Sequence, residues 1–546
     1  MKSELVKEYL LPVRVLAQEG CTNSEYLLEF HTDQSYFGGD EGCEIAPKGW
    51  ILFDFGMEYS GGVRLIVNNC AGEKNALLRV RFGESASEAC SEIGEKGATN
   101  DHSVRDAVLT VAWVSSIEYG NTGYRFIRID NVWDKPVSLR QALGVYLHCG
   151  AQLRGSFRCS DGRLNDIWNV GVRSVYLNMQ DYLYDGIKRD RVVWIGDMHP
   201  AASSVQRLFG AHAVVPKSLD HVRDHTPPDR WMNDIPTYTC WWLKLQWDWY
   251  RYTGDADYLA RQTDYVRAVL PLLHASVNDD GTDNVSFRFI DWPSSDDPVA
   301  QEEGVRALFK LAFESAALIL RTVGDAGDGD CIAACEQKAA AIAAAPPVRS
   351  RNKQAAALSV FAGLADAVSV NAALLSREPA RGVSTFLGYY LLRARGDAGD
   401  IGGALDLVRT YWGAMLDLGA TTFWEDFDLA WAKGALPIDV LPERGAYDVH
   451  GDNGNYCYRG FRHSLCHGWA SGPVPFLSEY VLGVRIAKPG CKKLIISPAL
   501  GDLEWAEGSV PTPYGDVFVR HERDGERVRT YFRAPDEIEI SVAEKK

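Results

Sequence analysis

The spacing of apolar residues changes twice along this chain, and the two changes bound what it can fold into. Up to about residue 150 the period is two: Leu78, Val80 and Phe82 alternate with Arg79 and Arg81, and Ile127 and Ile129 with Arg128 and Asp130. Apolar runs at 61–69, 106–113 and 138–148, set between Gly, Asn and Asp clusters, extend the pattern. Residues 1–152 are therefore expected to form a β-sandwich of jelly-roll kind. Near residue 160 the period becomes helical. Ser160 offers a cap, and Leu164, Ile167, Trp168, Gly171 and Val175 then share one helix face. Helices are predicted over 198–212, 238–253, 256–275, 299–323, 329–344, 352–376, 384–396, 402–417 and 463–483. Ten to twelve helices fit residues 153–485, and no motif recurs at the 34–45-residue period of a helical solenoid, which favours an α/α toroid of packed hairpins. From 486 to 546 the pattern turns β again and predicts a small C-terminal β-sandwich.

Charge narrows the partners. The chain carries 57 basic and 73 acidic side chains, a formal net charge of −16, and its longest basic run is the pair Lys545-Lys546. Nucleic acid is not an expected partner, because its binding rests on clustered Lys and Arg that displace counterions from phosphates. The first twenty residues hold only a short apolar patch broken by charges and Pro12, so neither an export signal nor a membrane span is expected. The 12 cysteines form no CxxC pair and are read as reduced thiols of a cytoplasmic protein. Cys331 and Cys335 lie one helical turn apart without a second ligand pair, which reads as helix packing; no metal and no cofactor is expected. HExxH, P-loop and GxSxG motifs are absent.

Tryptophan is abundant, and 12 of the 16 fall between Trp168 and Trp469. Most such rings fill helix interfaces. Some have another use where carboxylates stand beside them, because a sugar presents apolar C–H faces between hydroxyls and needs flat walls next to acceptors. Residues 181–197 meet that description: Asp181, Asp185, Asp190 and Asp197 are interleaved with Tyr182, Tyr184 and Trp194. The acids share this segment with Val192, Val193 and Ile195, which cannot all face water, so burial is expected to raise the pKa of some of them. Two further acidic and aromatic spots are Asp291-Trp292 and Trp424-Glu425. Loops at one end of a toroid converge, and a pair of acids meeting there is what glycoside hydrolysis requires.

At these residues the chain resembles the α-L-rhamnosidases of glycoside hydrolase family 78. That family's D-C-P-x-R-E-x-x-G-W-x-G-D segment is similar to Asp185 through Asp197, with the same 13-residue spacing and with the ends and the tryptophan coincident. Its A-T-T-x-W-E segment is similar to 420–425, and its histidine-bearing helix to 466–469. The resemblance implies a six-hairpin (α/α)6 barrel between an N-terminal β-sandwich and a small C-terminal β-domain. It also implies an inverting exo-glycosidase that releases terminal α-L-rhamnose from a glycoside or oligosaccharide. By the same resemblance Asp190 is the general acid, Glu425 is the general base, and Asp185 and Asp197 bind or orient the sugar. Arg189 holds a neighbouring carboxylate ionised, Trp194, Trp292 and Trp424 wall the pocket, and Asp291 and His467 bond sugar hydroxyls, with His463 the alternative to His467.

Two departures stand out. Asp190 replaces the family's Glu and withdraws the acid by one methylene, and Gly186-Ile187-Lys188 replaces the usual Cys-Pro-Gln type of run, which points to a divergent subgroup. Two other readings follow: another barrel enzyme with a different glycone, a phosphorylase or a lyase, or a sugar-binding protein whose acid has drifted.

Overall fold

The computed structural model describes residues 4–443 and 445–543; the pair Lys545-Lys546 lies outside them. The chain forms two compact units that do not follow its linear thirds. The first comprises Met1–Gly150, Tyr176–Val192 and Met415–His467, and the second Ala151–Val175, Val193–Ala414 and Gly468–Lys546.

The first unit is built on β1 (Val6–Leu10), β2 (Arg14–Thr22), β3 (Cys43–Asn69), β4 (Asn75–Gly83), β5 (Asp106–Ala112), β6 (Ser115–Asn131) and β7 (Val137–His148), with a short helix α1 (Ala86–Cys90) after β4. The strands pair antiparallel in the order β1-β7-β3-β6-β4-β5, and β2 adds to β3. The period-two pattern is realised: Leu78, Val80, Phe82, Ile127 and Ile129 are all buried in one core with Ile51, Phe53, Leu65 and Tyr124. β3 is 27 residues long and stays paired only by shifting register on β6 between Asp54 and Tyr59 and again between Gly61 and Val63. A buried ion pair fixes its bend. Arg125 on β6 donates from Nε and Nη2 to the two oxygens of Asp54 at 2.9 and 3.1 Å. Burial alone would raise the Asp54 pKa, but Arg125 outweighs it and holds the carboxyl below its ordinary value.

The second unit is mainly helical. After β8 (Ser156–Cys159) come α2 (Gly162–Asn178, its last residues counted with the first unit), α3 (Met198–Phe209), α4 (Val214–His225), α5 (Pro236–Thr253), α6 (Ala256–Ala260), α7 (Thr263–Ala275), α8 (Pro298–Val323), α9 (Gly329–Ala344), α10 (Lys353–Phe361), α11 (Ala367–Val370), α12 (Gly388–Asp397), α13 (Ile401–Leu407), α14 (Gly413–Asp417) and α15 (Pro473–Phe476). Packing contacts run from α3 to α5, α8, α10, α12 and α15 and back to α3, a closed ring of six. Two small sheets complete the unit. β9 (Val484–Lys488), β10 (Lys493–Ile496) and β14 (Glu539–Val542) form one, in the order β14-β10-β9. In the other, β11 (Trp505–Thr512), β12 (Gly515–Asp524) and β13 (Arg527–Arg533) join β8 in the order β13-β12-β11-β8.

Several predicted helices differ from those observed. The span 352–376 breaks after Phe361, where Gly363 takes φ 67° and Asp366 caps a new turn. The span 463–483 is not one helix: 463–467 is irregular, and Gly468, Gly472, Pro473 and Pro475 leave only short 3-10, α and π turns. His463 and His467 therefore sit on a loop rather than on the helix expected for them. Helix α4 escaped the apolar pattern because it is short and carries Pro216, which a first turn tolerates.

Gly61 sits at the β3 register shift with φ 149°, and a Cβ there would collide with the Val145 carbonyl. Gly61→Ala is expected to cost about 1–3 kcal/mol, read as a lower urea midpoint for the first unit, whereas Gly72→Ala, at an open turn, should cost less.

Candidate active site

In the first unit, three stretches distant in sequence lie side by side. Glu425 N–H donates to the Ser464 carbonyl and His467 N–H to the Phe423 carbonyl, each at 2.9 Å, and Gly186 forms an antiparallel bridge with His467. This pairing brings the 185–190, 423–425 and 464–467 segments into register. Asp185 closes the first of them: its N–H donates to the Val192 carbonyl at 3.3 Å, and its Oδ1 accepts from Val192 N–H at 3.1 Å.

Arg189 stands at the centre. Its Nη2 donates to both oxygens of Glu425 at 2.7 and 2.8 Å, its Nη1 to Asp190 Oδ1 at 3.0 Å, and its Nε to the Arg462 carbonyl at 2.8 Å. Glu425 also accepts from Ser464 N–H at 3.1 Å. Burial pushes the Glu425 pKa up, while Arg189 and the Ser464 amide pull against it. His467 Nε2 lies 3.7 Å from Glu425 and 3.9 Å from Asp185. Burial holds its pKa well below the ordinary value, so the ring is neutral and offers hydrogen bonds rather than charge. His463 is committed elsewhere, since its Nε2 accepts from Asp426 N–H at 2.9 Å. Trp424 is buried edge-on to Phe427 and His463.

The backbone accounts for the aspartate at 190. Arg191 N–H bonds the Arg189 carbonyl at 2.8 Å across Asp190, a three-residue turn in which Asp190 has φ 53° and Arg191 φ 55°. Aspartate enters this left-handed region more readily than glutamate, because its short polar side chain can bond locally. Its carboxylate also lies 3.2 Å from His102 Nε2.

In the second unit, Asp197 precedes α3 and accepts from Tyr238 OH at 2.8 Å. Asp291 accepts from Ser384 Oγ at 2.9 Å and from Ser294 N–H at 3.0 Å; burial raises its pKa, and these donors oppose the rise. A chain of edge-on rings, Trp194–Tyr238–Phe289–Trp292, joins the two acids. Gly196 is required here, because a Cβ would run into the Tyr238 ring.

The first unit thus gathers Asp185, Arg189, Asp190, Trp424, Glu425 and His467, and the second gathers Trp194, Asp197, Asp291 and Trp292. Sequence reasoning missed Tyr238, Ser384, Ser464 and a buried group beneath Glu425. In that group, ligand atoms of Glu84, Glu88 and His450 lie within 4.8 Å of one another, which is metal-ligand spacing. The chain supplies its own cation there: Lys188 Nζ lies 3.1 Å from Glu84 and 3.2 Å from Glu88. The signal was present as the Glu84-x-x-x-Glu88 spacing and the lone Lys188 in an otherwise apolar triplet.

Gly196→Ala is expected to displace Tyr238 and cost about 1–3 kcal/mol, while Tyr238→Phe removes its bond to Asp197 and costs about 1 kcal/mol. Urea unfolding of the two variants checks the order.

Comparison with known proteins completes the picture. Residues 152–328 match the family model described as the bacterial alpha-L-rhamnosidase 6 hairpin glycosidase domain, and residues 483–543 the one described as the bacterial alpha-L-rhamnosidase C-terminal domain. An alpha-L-rhamnosidase of Alteromonas sp. (strain LOR) is 25% identical over 533 residues, covering 86% of this chain and 53% of its own length. The chain thus spans about half the length of that relative. Among solved structures, a GH78 family rhamnosidase of Bacillus sp. GL1 aligns with TM-score 0.74 at 22% identity, covering 95% of this chain and 55% of that one. A rhamnosidase from Klebsiella oxytoca with rhamnose bound aligns with TM-score 0.71 at 18% identity, covering 87% and 96%. These structural likenesses carry the fold. Two stretches of the chain, 152–328 and 483–543, thus match the six-hairpin and C-terminal domains of the bacterial α-L-rhamnosidases.

Proposed function

We propose that this protein is an inverting exo-α-L-rhamnosidase, with Asp190 as general acid and Glu425 as general base, acting on small glycosides or oligosaccharides without a cofactor. The observation that carries the reading is the shared guanidinium of Arg189, which binds both carboxylates from different nitrogens. That arrangement brings the two acids to one guanidinium, the proximity that a pair flanking one glycosidic bond requires. Arg189 favours the ionised form of Glu425 that a base needs, and neutral His467 is suited to a sugar hydroxyl. Asp185, Asp197, Asp291, Trp194, Trp292 and Trp424 keep the sugar-binding roles that the motif match gives them. The ring of six helices is read as the inner layer of an (α/α)6 barrel, and the seven-stranded sheet as a β-sandwich. Twelve cysteines without a disulfide suit a reducing compartment such as the cytoplasm.

One observation favours a second reading. Asp190 Oδ1 is taken up by Arg189 at 3.0 Å and by His102 at 3.2 Å, contacts that occupy the oxygen a general acid would offer to a leaving group. That arrangement suits a sugar-binding protein whose acid has been silenced.

Hydrolysis of p-nitrophenyl α-L-rhamnopyranoside, with the released anomer followed by NMR, separates the two. The β-anomer appearing first supports the inverting reading, and rhamnose binding without turnover supports the second. Turnover that requires phosphate, or that yields an unsaturated sugar, would reassign the chemistry. Asp190→Asn should lose most activity on poor leaving groups and less on activated aryl glycosides, and Glu425→Gln should abolish turnover on both. The acidic limb of kcat/KM, where Glu425 gains its proton and activity falls, should lie above the ordinary glutamate pKa. Arg189→Met should move it higher still, because burial then acts unopposed by that cation.

A further inference from the structure

We propose that Lys188 is a positioning residue for Glu425, acting through a buried cage that holds the base from two sides; this rests on the assignment of Glu425 as the base. Lys188 is 5% exposed, and its ammonium is enclosed by Glu84 Oε2 at 3.1 Å, Glu88 Oε1 at 3.2 Å, the Phe461 carbonyl at 2.9 Å and the His463 carbonyl. An ammonium has three protons to donate, and four oxygens stand within reach of it.

The first route to Glu425 runs along the chain. With Lys188 anchored in the cage, and its carbonyl held by Thr122 Oγ1 at 3.2 Å and Ser103 Oγ at 2.5 Å, Arg189 is directed at Glu425. The second route runs through the loop. Glu84 accepts from Leu465 N–H at 2.5 Å and Ser464 Oγ at 3.2 Å, and Ser464 N–H in turn donates to Glu425 at 3.1 Å. His450 ties the same loop from behind: its Nε2 bonds the His463 carbonyl at 2.9 Å, and its Nδ1 accepts from Ser85 Oγ at 2.8 Å. Two donors to the carboxylate of Glu425, the Arg189 guanidinium and the Ser464 amide, are thus tied to one ammonium.

The charged and titratable groups facing Lys188 are Glu84, Glu88 and His450, with Arg105 behind Glu88 and Arg189 and Glu425 ahead. Removing the ammonium leaves two carboxylates in the interior without a counter-charge, which destabilises the fold. The informative variant is therefore Lys188→Met combined with Glu84→Gln, in which one cation and one carboxylate leave together, and Lys188→Met alone is the companion.

The test measures steady-state kinetics on p-nitrophenyl α-L-rhamnopyranoside across pH, alongside hydrogen exchange of the 460–467 segment, in wild type and in both variants. In the folded double variant kcat should fall about 10- to 100-fold, as expected for a base misplaced by a fraction of an ångström to one ångström. KM should change less than threefold, and the acidic limb should move to higher pH. The Ser464 and Leu465 amides should exchange faster. A folded double variant with kcat within threefold of wild type and an unmoved acidic limb would overturn the positioning role while leaving the rhamnosidase reading intact. Absence of turnover in wild type would remove the rhamnosidase reading; amide exchange then decides, and an unchanged rate at Ser464 and Leu465 sinks the cage as the device that holds this loop.

Discussion

Two consecutive cations, Lys188 and Arg189, are both buried, and the first unit is organised around keeping them there. A buried charge is tolerated only when oxygens surround it, and each neighbour here draws its oxygens from a different place. Lys188 takes them from the turn after β4 and from the loop before Ser464; Arg189 takes them from Glu425, Asp190 and the Arg462 carbonyl. Stretches more than two hundred residues apart are tied together by this need. Glu425 inherits its position from it, and so does His467, whose backbone is paired with Phe423 and Gly186.

Much of this was legible in the chain itself. The change of apolar period located the strands and most of the helices, because one-sided burial imposes a period of two on a pleated sheet and 3.6 on a packed helix. Of the acids in the 181–197 segment, Asp185 and Asp197 are buried, while Asp181 and Asp190 stay partly exposed. What stayed hidden was long-range. Nothing local ties Glu84 to Leu465 or Lys188 to Phe461, and hydrogen bonds to backbone carbonyls leave no mark on residue type. The 463–483 stretch misled for a related reason: its apolar residues suited a helix, but two prolines and two glycines withheld the backbone donors and torsions that a continuous helix needs.

The tryptophans divide much as their chemistry suggests. Trp241 and Trp242 are buried in α5, where Trp242 Nε1 donates to the Leu219 carbonyl, and Trp241 lies against His199 and Tyr390. Trp241 thus packs among α3, α10 and α12, and Trp242 against α4 and, through Tyr265, α7. Trp194 and Trp292 are less buried and belong to the aromatic chain that joins Asp197 and Asp291.

The left-handed turn at Asp190 reaches beyond the geometry of one loop. Side-chain length at this position is dictated by a torsion, because a backbone with φ 53° admits aspartate, asparagine or glycine at low cost and penalises glutamate by about 1–2 kcal/mol. A single-codon exchange of aspartate for glutamate would lengthen the acid on a turn shaped to refuse it. Exchange between the two acids therefore carries a backbone cost as well as a change of reach, and the shape of the main chain bears on the identity of the residue alongside the carboxylate's own role.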